Sequence, residues 1–309
     1  MRQNNNGTPL SRRAFVQGGS LLLLAAGQSI VTASELTSAD SEIQLRFGVI
    51  TDLHFADKAP AGSRNYRESL QKLEQAKNQF ERDQPKFVVE LGDLIDASKS
   101  LEIEKGYLAT INNLFKTLPG EKHYVLGNHC VFTLTKEEFL EGVDRKSSYY
   151  SFDQDGVHFV VLDACFREDG VAYGRNNFTW TDANIPTEQL DWLAADLKST
   201  SLNTIVFAHQ RLDETKHHSV RNAADVRKVL EKSGKVKAVF QGHSHSNSHQ
   251  EIKGIHYCVV AAMVEGSGPT NSGHATVDVF KDGSLAVTGF RKQKNYQWDM
   301  AEEQQLNQR

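Results

Sequence analysis

Apolar positions along the chain fall into two alternating rhythms. Short runs at 45–51, 87–91, 124–126, 204–208, 236–240 and 255–261 are too brief for helices and read as buried strands. Between them, apolar residues recur at helical spacing over 66–82, 103–118, 188–197 and 223–232. In the first of these helices Leu70, Leu73 and Phe80 form a stripe whose gap is covered by the aliphatic stem of Lys77. Thr135 followed by Glu138 is a capping-box pattern that opens a further short helix. Segments 149–152 and 157–163 flank Gln154-Asp155-Gly156 and predict a hairpin, and the chain closes with strands at 275–280 and 285–290 around Asp282-Gly283. Strands alternating with helices, then strands alone, predict one α/β domain over 45–291 with a β-rich end.

Composition narrows the class. Of 309 residues 39% are hydrophobic and 24% charged, which excludes disordered and fibrous chains and provides for a sizeable core. A net charge of −4 lacks the basic surplus of a dedicated nucleic-acid binder, although bound metals could still draw anionic substrates. The first 33 residues stand apart, with Arg2, Arg12 and Arg13 and no acid. Arg12-Arg13 precede an apolar stretch at 21–26 that is too short to span a bilayer, and Val31-Thr32-Ala33 has the small-residue spacing of a cleavage site. The segment resembles a bacterial twin-arginine signal peptide. That resemblance implies passage through the twin-arginine export machinery to the periplasm or beyond; no stable membrane or nucleic-acid partner is expected. Cleavage after Ala33 would take the net charge from −4 to −7. A linker at 34–44 and a polar tail at 292–309 bracket the domain. Cys130, Cys165 and Cys258 are odd in number and widely spaced, so they form no disulfide framework.

Metal-binding residue types follow five of the predicted strands. Asp52 and His54 follow the first, Gly92-Asp93 the second and Gly127-Asn128-His129 the third. His209 and Gly242-His243-Ser244-His245 follow two later ones. In open α/β sheets, sites lie beyond the carboxyl ends of strands, so these groups can converge from distant sequence. Carboxylate, amide oxygen and imidazole together suit Mn, Fe, Zn or Ni better than calcium or thiolate-bound metals. Each piece alone reads as a polar turn; their joint occurrence at strand ends is what points to a metal site.

The set Asp52-x-His54, Gly92-Asp93, Gly127-Asn128-His129, His209 and Gly242-His243-x-His245 resembles the calcineurin-like metallophosphoesterase family. The resemblance implies two mixed β-sheets packed face to face and flanked by helices. It implies two divalent metal ions, one held by Asp52, His54 and His245 and the other by Asn128, His209 and His243, with Asp93 bridging them and His129 catalytic. Such a pair lets water attack phosphorus in line, while an imidazole assists the leaving oxygen. The implied enzyme is a phosphohydrolase acting on phosphodiester, phosphoanhydride or phosphomonoester bonds of a small phosphorylated substrate. Two other classes stay open: a metal-binding module of the same fold without catalysis, and a nuclease, which the acidic balance disfavours.

Two features refine this reading. Many family members carry an acid after Asn-His, where it could orient the catalytic imidazole; this chain has Cys130, read here as a small buried filler. Asp57 and the stretch Tyr66-Arg67-x-Ser69-Leu70 are similar to the Mn-dependent ADP-ribose/CDP-alcohol diphosphatase branch, which has Gln in place of His54. On that likeness Tyr66 and Arg67 are expected to bind substrate, with Arg67 gripping a second phosphate. Arg211, His217 and His218, in the loop after His209, face either substrate or solvent.

Overall fold

The apolar runs become strands because each has two faces to bury, and successive side chains alternate between them. The structure, a computed structural model, describes residues 42–299. The export-signal reading of 1–33, most of the linker and the end of the tail lie outside that range. The first sheet has the order β12 (Tyr296–Trp298), β11 (Leu285–Arg291), β10 (Gly273–Phe280), β1 (Ile43–Ile50), β2 (Phe87–Glu90) and β3 (Glu121–Tyr124). The second has the order β4 (Tyr150–Gln154), β5 (Val157–Val161), β6 (Thr204–Phe207), β7 (Val236–Gln241), β9 (Ile255–Val259) and β8 (Ser248–Ile252). Strands β1, β2 and β3 are parallel neighbours, as are β5, β6, β7 and β9; the remaining pairs are antiparallel.

Alternation along the strands builds the layers. Phe47, Val49, Phe87 and Val89 meet Phe159, Val161, Phe207 and Phe240 in one core between the sheets. There Phe47 stacks on Phe87 at 5.1 Å between ring centroids and meets Phe207 and Phe240 edge-on at 5.7 Å. The intervening residues face outward. Val88 packs under α1 (Ser69–Asp83) and α2 (Leu101–Phe115), and Val160 and Val206 pack under α4 (Thr187–Ser199) and α5 (Ala223–Ser233). Two six-stranded mixed sheets flanked by helices are the expected architecture.

Local expectations are met where chemistry is local. Thr135 and Glu138 make both halves of the capping box that starts α3 (Lys136–Gly142). Asp155 and Gly156 both take positive φ, 46° and 80°, as a tight two-residue hairpin turn requires. Other boundaries shift. The buried face of α1 runs through Lys72, Leu73, Ala76 and Phe80, so Ala76 fills the gap expected to be covered by the Lys77 stem. Strand β3 lies at Glu121–Tyr124 rather than 124–126, because pairing with β2 sets its register, Phe87 opposite Glu121 through Glu90 opposite Tyr124. Strand β8 has no apolar run; it forms by pairing with β9. The fold also runs past Arg291, since β12 lies inside the segment expected to be tail and buries Trp298 in the central core.

Candidate metal centre

All five motifs leave the carboxyl ends of parallel strands. The first three follow β1, β2 and β3 of one sheet, and the other two follow β6 and β7 of the facing sheet. The two sets of loops are stitched together. Asp52 N donates to Gly92 O at 3.0 Å and His54 N to Asp93 O at 2.7 Å, while Gly242 N donates to His209 O at 3.0 Å. Across the sheets, His243 N donates to Asp52 Oδ2 at 3.1 Å. Close approach is what the glycines supply. A Cβ on Gly127 would sit 2.2 Å from Asp93 Oδ1, and one on Gly242 2.2 Å from Thr51 Oγ1.

The backbone here is bent in an uncommon way. Asp52, His54, Asp93, His243 and His245 all have positive φ, between 44° and 65°, and make up five of the twelve such non-glycine residues described. Asp and His tolerate this region better than most residues, and its clustering is typical of sites that aim side chains at a common point.

Those side chains do converge. Asp52, His54 and His245 form one group whose ligand atoms all lie within 4.8 Å of one another, and Asp93, His209 and His243 form a second. Asp93 Oδ2 lies 3.5 Å from His54 Nε2 and 3.1 Å from His209 Nε2, which places this carboxylate between the two groups. Asn128 is buried beside them. Asp52 Oδ1, Asn128 Oδ1, His209 Nε2 and His243 Nε2 are buried without a hydrogen-bond partner. Buried polar atoms are normally paired, and four such acceptors in one cluster fit divalent cations.

Electrostatics agree with the geometry. Burial would raise the Asp52 carboxyl, but His245, His54 and His209 outweigh it and hold it well below the usual range. The same opposition, with His209, His129 and His54 dominant, keeps Asp93 ionised. Burial pulls His245 down, but Asp52 and Glu265 raise it to about 9. Burial, then Asp52 and Asp93, push the Glu90 carboxyl well up, so its protonated form spares the cluster a further negative charge.

His129 stands beside the cluster, grouped with His54 and Asp93. Its backbone N–H donates to Asp93 Oδ1 at 2.7 Å, and its Nδ1 is hydrogen-bonded to Asp96 Oδ1. Asp96 belongs to none of the five motifs, although it lies on the same loop only three residues past Asp93. It supplies the orienting carboxylate that Cys130 cannot. Cys130 itself is fully buried and its thiol is pushed up by burial, as expected of a filler.

A cleft of about 180 Å³ opens on the cluster, lined by Arg64, Asp93, Asn128, His129, Trp180, His218 and His243. Tyr66 and Arg67, expected to bind substrate, do not line this cleft. Tyr66 is buried against Ala56, Ala262 and Val264, beneath the Lys58 ammonium at 4.2 Å. Arg67 pairs with Asp57 at 2.5 Å and lines a separate cleft. Tyr66–Glu68 is a 3₁₀ turn, where successive side chains point about 120° apart, so an inward Tyr66 turns Arg67 away. Arg211 is held by Asp213 at 2.8 Å, and His217 lines a different groove. Arg64 and Trp180 carry no sequence signal of their own.

The profile described as calcineurin-like phosphoesterase matches residues 45–247. The chain belongs to that family. Its members hydrolyse phosphate esters, and this chain is a metal-dependent hydrolase of phosphate ester or anhydride bonds with divalent cations as cofactors. It is similar to the manganese-dependent ADP-ribose/CDP-alcohol diphosphatase of Oryza sativa subsp. japonica, at 25% identity over 83% of this chain and 95% of the relative. The protein of the same description from Homo sapiens is also 25% identical, covering 80% and 91% of the two chains. Among solved structures, a dimetal phosphatase from Danio rerio shares the fold, with a TM-score of 0.75, 20% identity and coverage of 84% of this chain and 100% of that one.

Proposed function

We propose that this calcineurin-like phosphoesterase hydrolyses a phosphoanhydride or phosphodiester bond of a small nucleotide-like substrate, using a dinuclear centre. The observation that carries the reading is the placement of Asp93 between two groups of donors. Asp52, His54 and His245 would hold one cation and Asn128, His209 and His243 the other, with Asp93 shared. Cations held by these residues would supply an activated water and would neutralise charge on the phosphoryl oxygens. His129, fixed through Nδ1 by Asp96, offers its Nε2 hydrogen to the departing oxygen. Half-buried Arg64 adds positive charge along the cleft wall.

Preference for a nucleotide-like substrate is supported by the descriptions of the relatives and by the cleft's mouth. Trp180 is 43% exposed although large and apolar, and its ring lies 5.5 Å from that of His218 and 5.6 Å from that of His243. Stacking of a base on an aromatic ring contributes about 1–3 kcal/mol, so Trp180→Ala is expected to raise KM for ADP-ribose by about 5- to 150-fold. Turnover of p-nitrophenyl phosphate should change little. Steady-state kinetics with Mn²⁺ on both substrates measure this. Clear turnover of the monoester alone, with none of ADP-ribose or a bis-ester, would reverse the substrate preference.

The ligand assignment also predicts a pH dependence. In the metal-free chain the raised His245 contributes stability fully below its ordinary value near 6.5, and this is lost as pH rises through about 9. A metal must displace the same proton. Mn²⁺ affinity at one site is therefore expected to rise about tenfold per pH unit between about pH 7 and 9, then level off. Competition titrations against a chelator would reveal it, and a flat profile would remove His245 from the ligand set.

A further inference from the structure

Beyond β9 the chain runs alongside the metal cluster. Met263 N donates to Thr51 O at 3.1 Å and Val264 N to Asp52 O at 3.0 Å. The next residue, Glu265, turns its carboxylate onto His245, with Oε1 2.5 Å from Nδ1. The other nitrogen of that ring, Nε2, lies 3.4 Å from Asp52 Oδ1 in the donor group. His209 in the second group is backed differently, by the neutral carbonyl of Leu91 at 2.9 Å. A carboxylate behind a ligating imidazole fixes its tautomer and orientation and raises its basicity.

The turn that carries Glu265 is not rigid by its own composition, since Gly266 and Gly268 sit at φ of 68° and 81°. It is held from outside, by the start of α1. Lys72 is fully buried, and its Nζ donates to the carbonyls of Glu265 at 3.0 Å and Gly266 at 2.7 Å. Glu68 accepts from Ser267 Oγ at 3.0 Å and from Gly268 N at 2.5 Å. Ser63 O accepts from Gly266 N at 2.7 Å. Removing an ammonium from water is costly. Doing so to hold two carbonyls of one turn makes physical sense where that turn must stay in register.

We propose that Lys72 and Glu68 form a clamp on the 265–268 turn, through which Glu265 holds His245 in place for the cation shared with Asp52 and His54. Glu265 is thus a positioning residue, and Lys72 acts through it. This rests on the reading of His245 as a metal ligand. Retention of one cation then depends on the first turn of α1, while the other, with His209 backed by a backbone carbonyl, does not.

The test is Mn²⁺ binding to the metal-free full chain, followed by calorimetry, with electron paramagnetic resonance distinguishing isolated from paired ions. Glu265→Ala is expected to weaken one binding step about 10- to 100-fold and leave the other unchanged. Lys72→Met should weaken the same step, and should add nothing when combined with Glu265→Ala. If Lys72→Met does not fold, Glu68→Ala supplies the same comparison from the surface side of the clamp. Unchanged binding in Glu265→Ala overturns the proposal, as does an equal cost of Lys72→Met in both backgrounds. His245→Ala separates the two readings. If it removes that step while Glu265→Ala does not, the clamp fails and the ligand assignment stands; if it leaves both steps intact, the assignment itself fails.

Discussion

Asp93→Asn is expected to lower kcat/KM by at least about 10³-fold and to cut bound metal from a pair to at most a single ion. The substitution keeps the shape of the side chain and removes its charge. Asp93 is buried, faces His54 and His209 through one oxygen and takes the His129 N–H with the other. An amide could keep that last hydrogen bond, so the loss isolates the carboxylate's hold on the cations. Metal-derived stabilisation of the transition state is worth several kcal/mol, at about 1.36 kcal/mol per tenfold. Kinetics together with elemental analysis of desalted protein measure both effects. A variant with full metal content and activity within about tenfold of the parent would sink the bridging role.

The second large effect is expected at His129, and it differs in kind. His129→Ala should reduce kcat by about 10²–10⁴-fold, the usual worth of a placed general acid, while metal content stays as in the parent. The reason is that His129 Nδ1 is taken by Asp96 and its backbone N–H by Asp93, leaving Nε2 for the cleft. Asp96→Asn should lower kcat in the same direction by less, because the imidazole loses its orienting carboxylate and keeps its place. An unchanged rate in His129→Ala would show that turnover does not use this histidine, and would remove its assignment as the general acid.

The pattern of apolar runs and helical stripes was a sound guide where residues contact their sequence neighbours. The capping box at Thr135 and Glu138 and the Asp155-Gly156 turn depend only on bonds made within a few residues, so their residue types suffice. It failed for β3 and β8, which carry Glu121, Lys122, Gln250 and Glu251 and become strands only because neighbouring strands present free backbone groups to them. Arg67 lies away from the cleft on the cluster for a related reason. Which way a side chain leaves a short turn is set by what its neighbour buries, and Tyr66 buries itself under Lys58.

The candidate donors are legible along the chain: carboxylates, an amide and imidazoles placed just past strand ends, with glycines where backbone must come close. Those identities carry their chemistry wherever the chain goes, so they could be read directly. Which residues stand behind those donors is settled by the fold alone. His54 and His245 meet across 191 positions, Asp96 reaches back to His129, and Glu265 arrives on His245 from a turn pinned by Lys72. Such pairings follow from strand order and from two sheets facing each other, and no periodicity in a linear chain encodes which distant loops will touch.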